Sequence, residues 1–204
     1  VYTIIGGGAY CDGAPGVHIG LSNSNSGVGY QLYEGATAVG PTVTGTGSSI
    51  DMGLYTTVGT YTVKATNTIT GCGSNMSGST NVSIDPVPAA HAVTGGGDYC
   101  TGDAGAHIGL GSSSAGYNYQ LLYGGAPVGV AISGTGSLLD FGVVATTGLY
   151  TVEAVGALTG CTATMGSVSV GVLPLPALHI VNGGGSICAD GPGAAVTLLS
   201  SDVG

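Results

Sequence analysis

The stretch Gly59-Thr60-Tyr61-Thr62-Val63-Lys64-Ala65 reads as a β-strand with one dry face and one wet face. Side chains alternate across a strand, so Tyr61, Val63 and Ala65 share one side while Thr62 and Lys64 share the other. The stretch returns 89 residues later as Gly148-Leu149-Tyr150-Thr151-Val152-Glu153-Ala154. The apolar side is kept, and the charge on the other side changes sign from Lys64 to Glu153. Only a solvent-facing position accepts that swap, because an unpaired buried charge is costly.

Working outward, the same offset relates most of the chain to itself. Gly6-Gly7-Gly8…Cys11 returns as Gly95-Gly96-Gly97…Cys100 and again as Gly183-Gly184-Gly185…Cys188. His18/His107, Tyr30/Tyr119, Gln31/Gln120, Asp51/Asp140 and Cys72/Cys161 keep register, and Tyr33/Tyr123 match with a slip of one. A period this long is one domain per repeat, not a solenoid of units that share a core. The boundaries read as repeat 1 over 1–88, repeat 2 over 89–176 and the start of a third over 177–204.

Within repeat 1, short apolar-alternating runs at Tyr2–Ile5, Val17–Leu21, Gly29–Tyr33, Thr37–Val43, Ser49–Leu54, Gly59–Ala65 and Ser79–Ile84 are split by Gly, Ser, Asn and Asp clusters. In repeat 2, Ser167–Val172 closes the domain. Seven or so strands with frequent turns predict an immunoglobulin-like sandwich. Gly59-x-Tyr61-x-Val63 also has the form of the tyrosine corner that opens strand F of that fold. Val63 stands where the usual second cysteine would be, so the usual inter-sheet disulfide cannot form. Gly6–Gly8 and Gly95–Gly97 are expected to kink the chain between strands. The expected fold is all-β: tandem immunoglobulin-like β-sandwich domains, two complete plus the beginning of another.

Composition narrows the function classes. Glycine contributes 42 of 204 residues, about three times its ordinary share, without the three-residue period of collagen. A hydrophobic fraction of 43% with strand alternation argues against disorder. One cation, Lys64, stands against ten carboxylates, so no nucleic-acid partner is expected. Insertion into a membrane is not expected either, for want of a long apolar run. With so few Lys, Arg and Glu, the strong helix formers are nearly missing.

The cysteines fall two per repeat: Cys11 with Cys72, and Cys100 with Cys161, each 61 residues apart. That grouping predicts one disulfide inside each repeat and an oxidising, extracellular setting. A zinc site is the rival, but no close pair such as C-x2-C occurs. Cys188 is left over, unpaired by truncation, and its mate is expected about 61 residues on, past Gly204. The chain therefore reads as a window on a longer mature protein. The spacers Asp85-Pro86-Val87-Pro88 and Leu173-Pro174-Leu175-Pro176 are expected to be extended and semi-rigid.

No residue stands out as catalytic, cofactor-binding or metal-ligating. His18 and His107 read as strand histidines with no carboxylate set in register, and Ala195 takes their place in the third copy. His91 and His179, at the Tyr2 position, are expected to pack against the preceding linker. Asp51, Asp140, Asp12 and Asp190 read as solvated or turn-capping carboxylates, with junction calcium a lesser alternative. The triple glycines lack the Lys-Ser/Thr and the helix of a phosphate loop. No G-x-S-x-G elbow occurs.

The ordered motifs Tyr-Cys…His-Ile-Gly-Leu, Tyr-Gln-Leu…Tyr-x-Gly, Gly-Thr-Gly-Ser, Gly-x-Tyr-Thr-Val-x-Ala and Thr-Gly-Cys…Met-x-Gly-Ser, closed by Pro-x-Pro-Ala, resemble a known domain class. They look like the bacterial Ig-like (PKD-like) repeats of large Bacteroidota surface adhesins and gliding-motility-associated, type IX-secreted proteins. The resemblance implies export, display on the cell surface and a structural or adhesive role. The expected function is thus a non-enzymatic extracellular rod or filament that self-associates or meets surface glycans. The alternative is a spacer or carbohydrate-binding module of a secreted enzyme, for which Tyr30, Tyr33, Tyr119 and Tyr123 are the candidate platform.

Overall fold

The computed structural model describes residues 1–202 and contains no helix among them. The chain runs as strands β1 (Ile4–Gly6), β2 (Gly8–Cys11), β3 (Val17–Leu21), β4 (Val28–Glu34), β5 (Thr37–Thr44), β6 (Ile50–Tyr55), β7 (Gly59–Asn67), β8 (Gly73–Asn75) and β9 (Thr80–Asp85) in the first repeat. The second repeat runs β10 (Val93–Gly95), β11 (Gly97–Cys100), β12 (Ala106–Leu110), β13 (Tyr117–Tyr123), β14 (Ala126–Ser133), β15 (Leu139–Val144), β16 (Gly148–Gly156) and β17 (Thr162–Leu173). Strands β18 (Val181–Gly183) and β19 (Val196–Leu198) follow.

Each repeat is two sheets facing one another. The small sheet is β1-β3-β6, repeated as β10-β12-β15. The large sheet is β2-β9-β7-β4-β5, repeated as β11-β17-β16-β13-β14, and β8 pairs with β7. β17 runs as one continuous strand where the first repeat has β8 and β9. β18 and β19 pair antiparallel, Gly183 opposite Val196, as Gly6 lies opposite Ile19 in the β1·β3 pair.

The opening strand expected at Tyr2–Ile5 is present as β1, and a further strand that was not expected, β2, follows it in the other sheet. β1 belongs to the small sheet, and β2 joins the large one parallel to β9. The switch is made at Gly6-Gly7-Gly8, all three at positive φ (81°, 74° and 108°). Gly7 N–H donates to the His18 carbonyl at 2.8 Å, and a Cβ on Gly6 would collide with that same carbonyl. Only glycine accepts both demands. The expected kink is there, and its work is to move the chain from one sheet to the other.

The two cores are chemically alike and draw on separate repeats. Ile19, Leu21, Tyr30, Leu32, Tyr61 and Val63 fill the first; Ile108, Leu110, Tyr119, Leu121, Tyr150 and Val152 fill the second. Tyr61 is fully buried and Lys64 exposed, as the alternation of β7 requires. The tyrosine corner forms in both copies: Tyr61 Oη donates to the Thr57 carbonyl and Tyr150 Oη to the Thr146 carbonyl, each at 2.8 Å. The one polar side chain buried in each repeat, Ser24 or Ser113, donates to the Ser48 or Ser137 carbonyl at 2.6 Å.

Candidate functional site

The register of the large sheet decides where each cysteine lies. β2 runs parallel to β9, with Cys11 opposite Asp85 at the end where the chain leaves the repeat. β7 runs the other way, Gly59 opposite Val82, so its last residue, Asn67, lies at the opposite end. There Asn67 N–H donates to the Cys72 carbonyl at 2.9 Å. The chain also enters at this second end, since Tyr2 Oη reaches the Asn25 side chain just before β4. Every repeat therefore has a leading pole, carrying Cys72 or Cys161, and a trailing pole, carrying Cys11 or Cys100.

This geometry corrects the expected disulfides. A bridge from Cys11 to Cys72 would have to span more than the nine-residue strand β7, about 30 Å at roughly 3.3 Å per residue. Disulfide-bonded cysteines sit with Cα atoms within about 7 Å. The Cys11–Cys72 and Cys100–Cys161 pairs do not form. Cys11, on the trailing pole of repeat 1, is bonded instead to Cys161, on the leading pole of repeat 2, with Cα atoms 5.5 Å apart and 150 residues between them. The bond thus joins the early chain of one repeat to the segment after the tyrosine-corner strand of the next. Cys72, Cys100 and Cys188 are exposed free thiols.

The leading poles of the two repeats differ accordingly. Cys161 is 1% exposed beside the junction. Cys72 lies open, in a cleft of about 260 Å³ lined by Val1, Tyr2, Tyr30, Asn67 and Met76 among others. The residue at the Tyr2 position is pinned in all three copies to the residue 23 further on. Tyr2 bonds Asn25, His91 Nε2 meets Ser114 Oγ at 3.0 Å, and His179 Nε2 meets Asp202 Oδ1 at 3.0 Å. His91 and His179 thus fasten their own repeat's loop.

A second repeated feature lies on the small sheet. His18 Nδ1 is 2.7 Å from Asp51 Oδ2, and His107 Nδ1 is 3.5 Å from Asp140 Oδ1. The β3·β6 ladder places Gly20 opposite Asp51, which brings together residues 33 apart in sequence. The sequence reading found no carboxylate in register with these histidines; the shared 33-residue spacing is the signal it passed over. Each pair edges a shallow groove, of about 360 Å³ in repeat 1 and 260 Å³ in repeat 2. Asp140 is held below its ordinary value first by the Gly142 N–H, at 2.8 Å, and then by His107.

Ser49 also lines the first groove, but Leu138 takes its place in the second. No hydrogen bond joins Ser49 to His18 among the described residues. Among the described residues no three His, Cys, Asp or Glu side chains are grouped as a metal would require. Asp51 and Asp140 are the second residues of β6 and β15 on this face.

The tyrosine platform dissolves. Tyr30 and Tyr119 are buried at 1% and 0% exposure, their hydroxyls accepting from Asn25 and Ser114 N–H at 2.8 Å. Tyr33 and Tyr123 are one residue out of register, and a one-residue slip changes the face of a strand. Tyr33 lies opposite Thr62, whereas Tyr123 lies opposite Tyr150 and stacks on it with centroids 5.0 Å apart.

No protein-family model matches this chain, and no curated protein does so by sequence. Among solved structures, a chain from the mouse coronavirus receptor-binding domain in complex with its murine receptor is similar at 14% identity and a TM-score of 0.44, covering 85% of this chain and all of that one. Murine CEACAM1b follows at 13% identity and 0.39, covering 81% of this chain and 96% of that one. Sidekick-1 immunoglobulin domains 1–4 match at 12% and 0.30, over 95% of this chain and 59% of that one. At such scores these likenesses carry no argument about what this chain binds. The assignment as tandem immunoglobulin-like sandwiches stands on the chain's own sheets and tyrosine corners.

Proposed function

We propose that this chain is a length of a non-enzymatic structural or adhesive protein, exported to the bacterial surface and built as a rod of covalently fastened immunoglobulin-like repeats. The resemblance to Bacteroidota surface repeats supports the export and display. The observation that carries the reading is the Cys11–Cys161 bond. It adds a second covalent tie beside the Asp85-Pro86-Val87-Pro88 spacer, so one junction is crossed twice. Two ties resist bending and share a pulling load, which a stalk needs and a solitary enzyme domain does not. A disulfide of this kind also persists only in an oxidising compartment. The glycan-binding alternative loses its platform with the burial of Tyr30 and Tyr119.

Small-angle scattering and negative-stain imaging of the purified chain test the proposal. Elongated particles of narrow length distribution are expected under oxidising conditions, with a broader spread of bend angles after Cys11→Ser. Compact particles, or a distribution that Cys11→Ser leaves unchanged, would overturn it.

A further inference from the structure

We infer that Cys72 and Cys100 are the open halves of two further inter-repeat staples, each a bonding site for another repeat of this same kind. The inference rests on pole geometry and holds whether or not the protein is a surface rod. By the 89-residue repeat, Cys72 is the counterpart of Cys161, and Cys100 is the counterpart of Cys11. Their counterparts are bonded to each other, trailing cysteine to leading cysteine. Cys72 therefore takes the trailing cysteine of a repeat seated before repeat 1. Cys100 takes the leading cysteine of a repeat seated after repeat 2.

The leading pole of repeat 1 supplies an independent observation. Where Cys161 is covered to 1% exposure, Cys72 stands in an open cleft of about 260 Å³ beside Tyr2 and Met76. The occupant that fits is the cysteine end of a β2-type strand, the element that delivers Cys11 to Cys161. The pattern also reassigns Cys188. It is a trailing-type cysteine, so its partner belongs to the repeat after its own and does not lie 61 residues on.

Each bond forms by loss of two protons and two electrons from two thiols. A small-molecule disulfide such as oxidised glutathione accepts both, its own S–S bond breaking to release two thiols. Like pairs, leading with leading or trailing with trailing, would require two repeats to meet pole to same pole, which the observed junction does not do.

The repeat that supplies the partner thiol can lie in the same polypeptide or in a second copy, and two arms of one experiment separate these sources. In the first, the purified chain is oxidised with a glutathione redox pair over a range of concentrations, and its disulfides are mapped by mass spectrometry of non-reduced digests. Cross-links of Cys72 to Cys100 or Cys188 between copies are expected, rising with concentration and abolished by Cys72→Ser. In the second, a chain carrying a complete third repeat after Leu178 is treated in the same way. Here Cys100 is expected to bond the leading cysteine of that repeat at a yield independent of concentration, with Cys72 unaffected. Cys72–Cys72 and Cys100–Cys100 links formed as readily as mixed ones would overturn the inference. So would recovery of Cys11–Cys72 and Cys100–Cys161 in place of Cys11–Cys161, or failure of Cys100 to bond in the second arm.

Discussion

The leading poles of the two repeats occupy equivalent places in the sandwich, share a cysteine and a methionine (Cys72 and Met76, Cys161 and Met165), and end in opposite states. In repeat 2 the pole is sealed: Cys161 is bonded to Cys11 and shielded from water. In repeat 1 it is open, with Cys72 exposed in a cleft. The sheet order, the tyrosine corner and the buried serine are the same on both sides, while β8 and β9 of repeat 1 are one strand, β17, in repeat 2. The sealed pole has in addition a bonded neighbouring repeat. A domain of about 90 residues buries only part of its surface, and here the end faces gain by being covered by the next copy. The repeat is thus half of a junction as much as it is a domain.

Cys161→Ser breaks that contrast most directly, by giving repeat 2 an open pole like that of repeat 1. The bond closes a loop of 150 residues, worth about 5 kcal/mol in the chain-entropy model, summed over the two repeats it joins. Urea unfolding under oxidising conditions should show a loss of that order for Cys161→Ser, and reductant should remove the same amount from the unaltered chain. Cys72→Ser in the monomeric chain should move the midpoint within error. Equal effects of the two substitutions would mean that the poles do not differ as described.

The tyrosine corners sharpen the comparison from the other side, since they should respond alike in both repeats. Tyr61→Phe and Tyr150→Phe each remove a hydroxyl donated at 2.8 Å to a loop carbonyl, at an expected cost of about 1–2 kcal/mol each. The cost should be the same in the Cys161→Ser background, because distant sites add. Burial, and secondarily the Glu34 carboxylate, raise the Tyr61 hydroxyl above 10.0. Its contribution is therefore full below that pH and is lost as pH climbs toward the folded value. Alkaline unfolding of repeat 1 should be delayed in Tyr61→Phe relative to its neutral-pH loss.

These same tyrosines show what sequence alone carries. Tyr61 and Val63 announce a strand with one buried face, and their return at Tyr150 and Val152 announces a second sandwich. Local alternation suffices because the sheet period is two residues. The short strand β2 was hidden, since four residues beginning at Gly8 carry too little pattern to separate from the kink before them. The disulfide was misread for a different reason. Counting cysteines by repeat assigns partners within a repeat, whereas pairing depends on which pole each strand end reaches. Strand direction sets that, and a cysteine count does not encode it. The His–Asp pairs sit between these cases: His18 and Asp51 come together only through the register of two strands, yet their constant spacing was visible.

The smallest expected effect lies at those pairs. Asp140 is exposed, and its carboxyl is held below the ordinary value of 3.8 first by the Gly142 N–H and then by His107. The unfolded chain therefore binds the Asp140 proton at higher pH than the folded one does. Whatever stability this contributes is present above the ordinary carboxylate value and is lost as pH falls through the folded one. His107→Ala should leave most of the depression in place, because the Gly142 N–H comes first among its causes. A carbon-detected NMR titration of the Asp140 carboxyl between pH 2 and about 6 decides the point. Return of Asp140 to its ordinary value in His107→Ala would show that the histidine dominates. Repeat 2 would then resemble repeat 1, where His18 and Asp51 lie 2.7 Å apart, in having a histidine that acts on its aspartate. A depression that survives makes the 3.5 Å approach in repeat 2 a strand backbone contact that happens to face a histidine. The small sheets would then differ in how closely histidine and aspartate meet, 2.7 Å against 3.5 Å, as the leading poles differ in their cover.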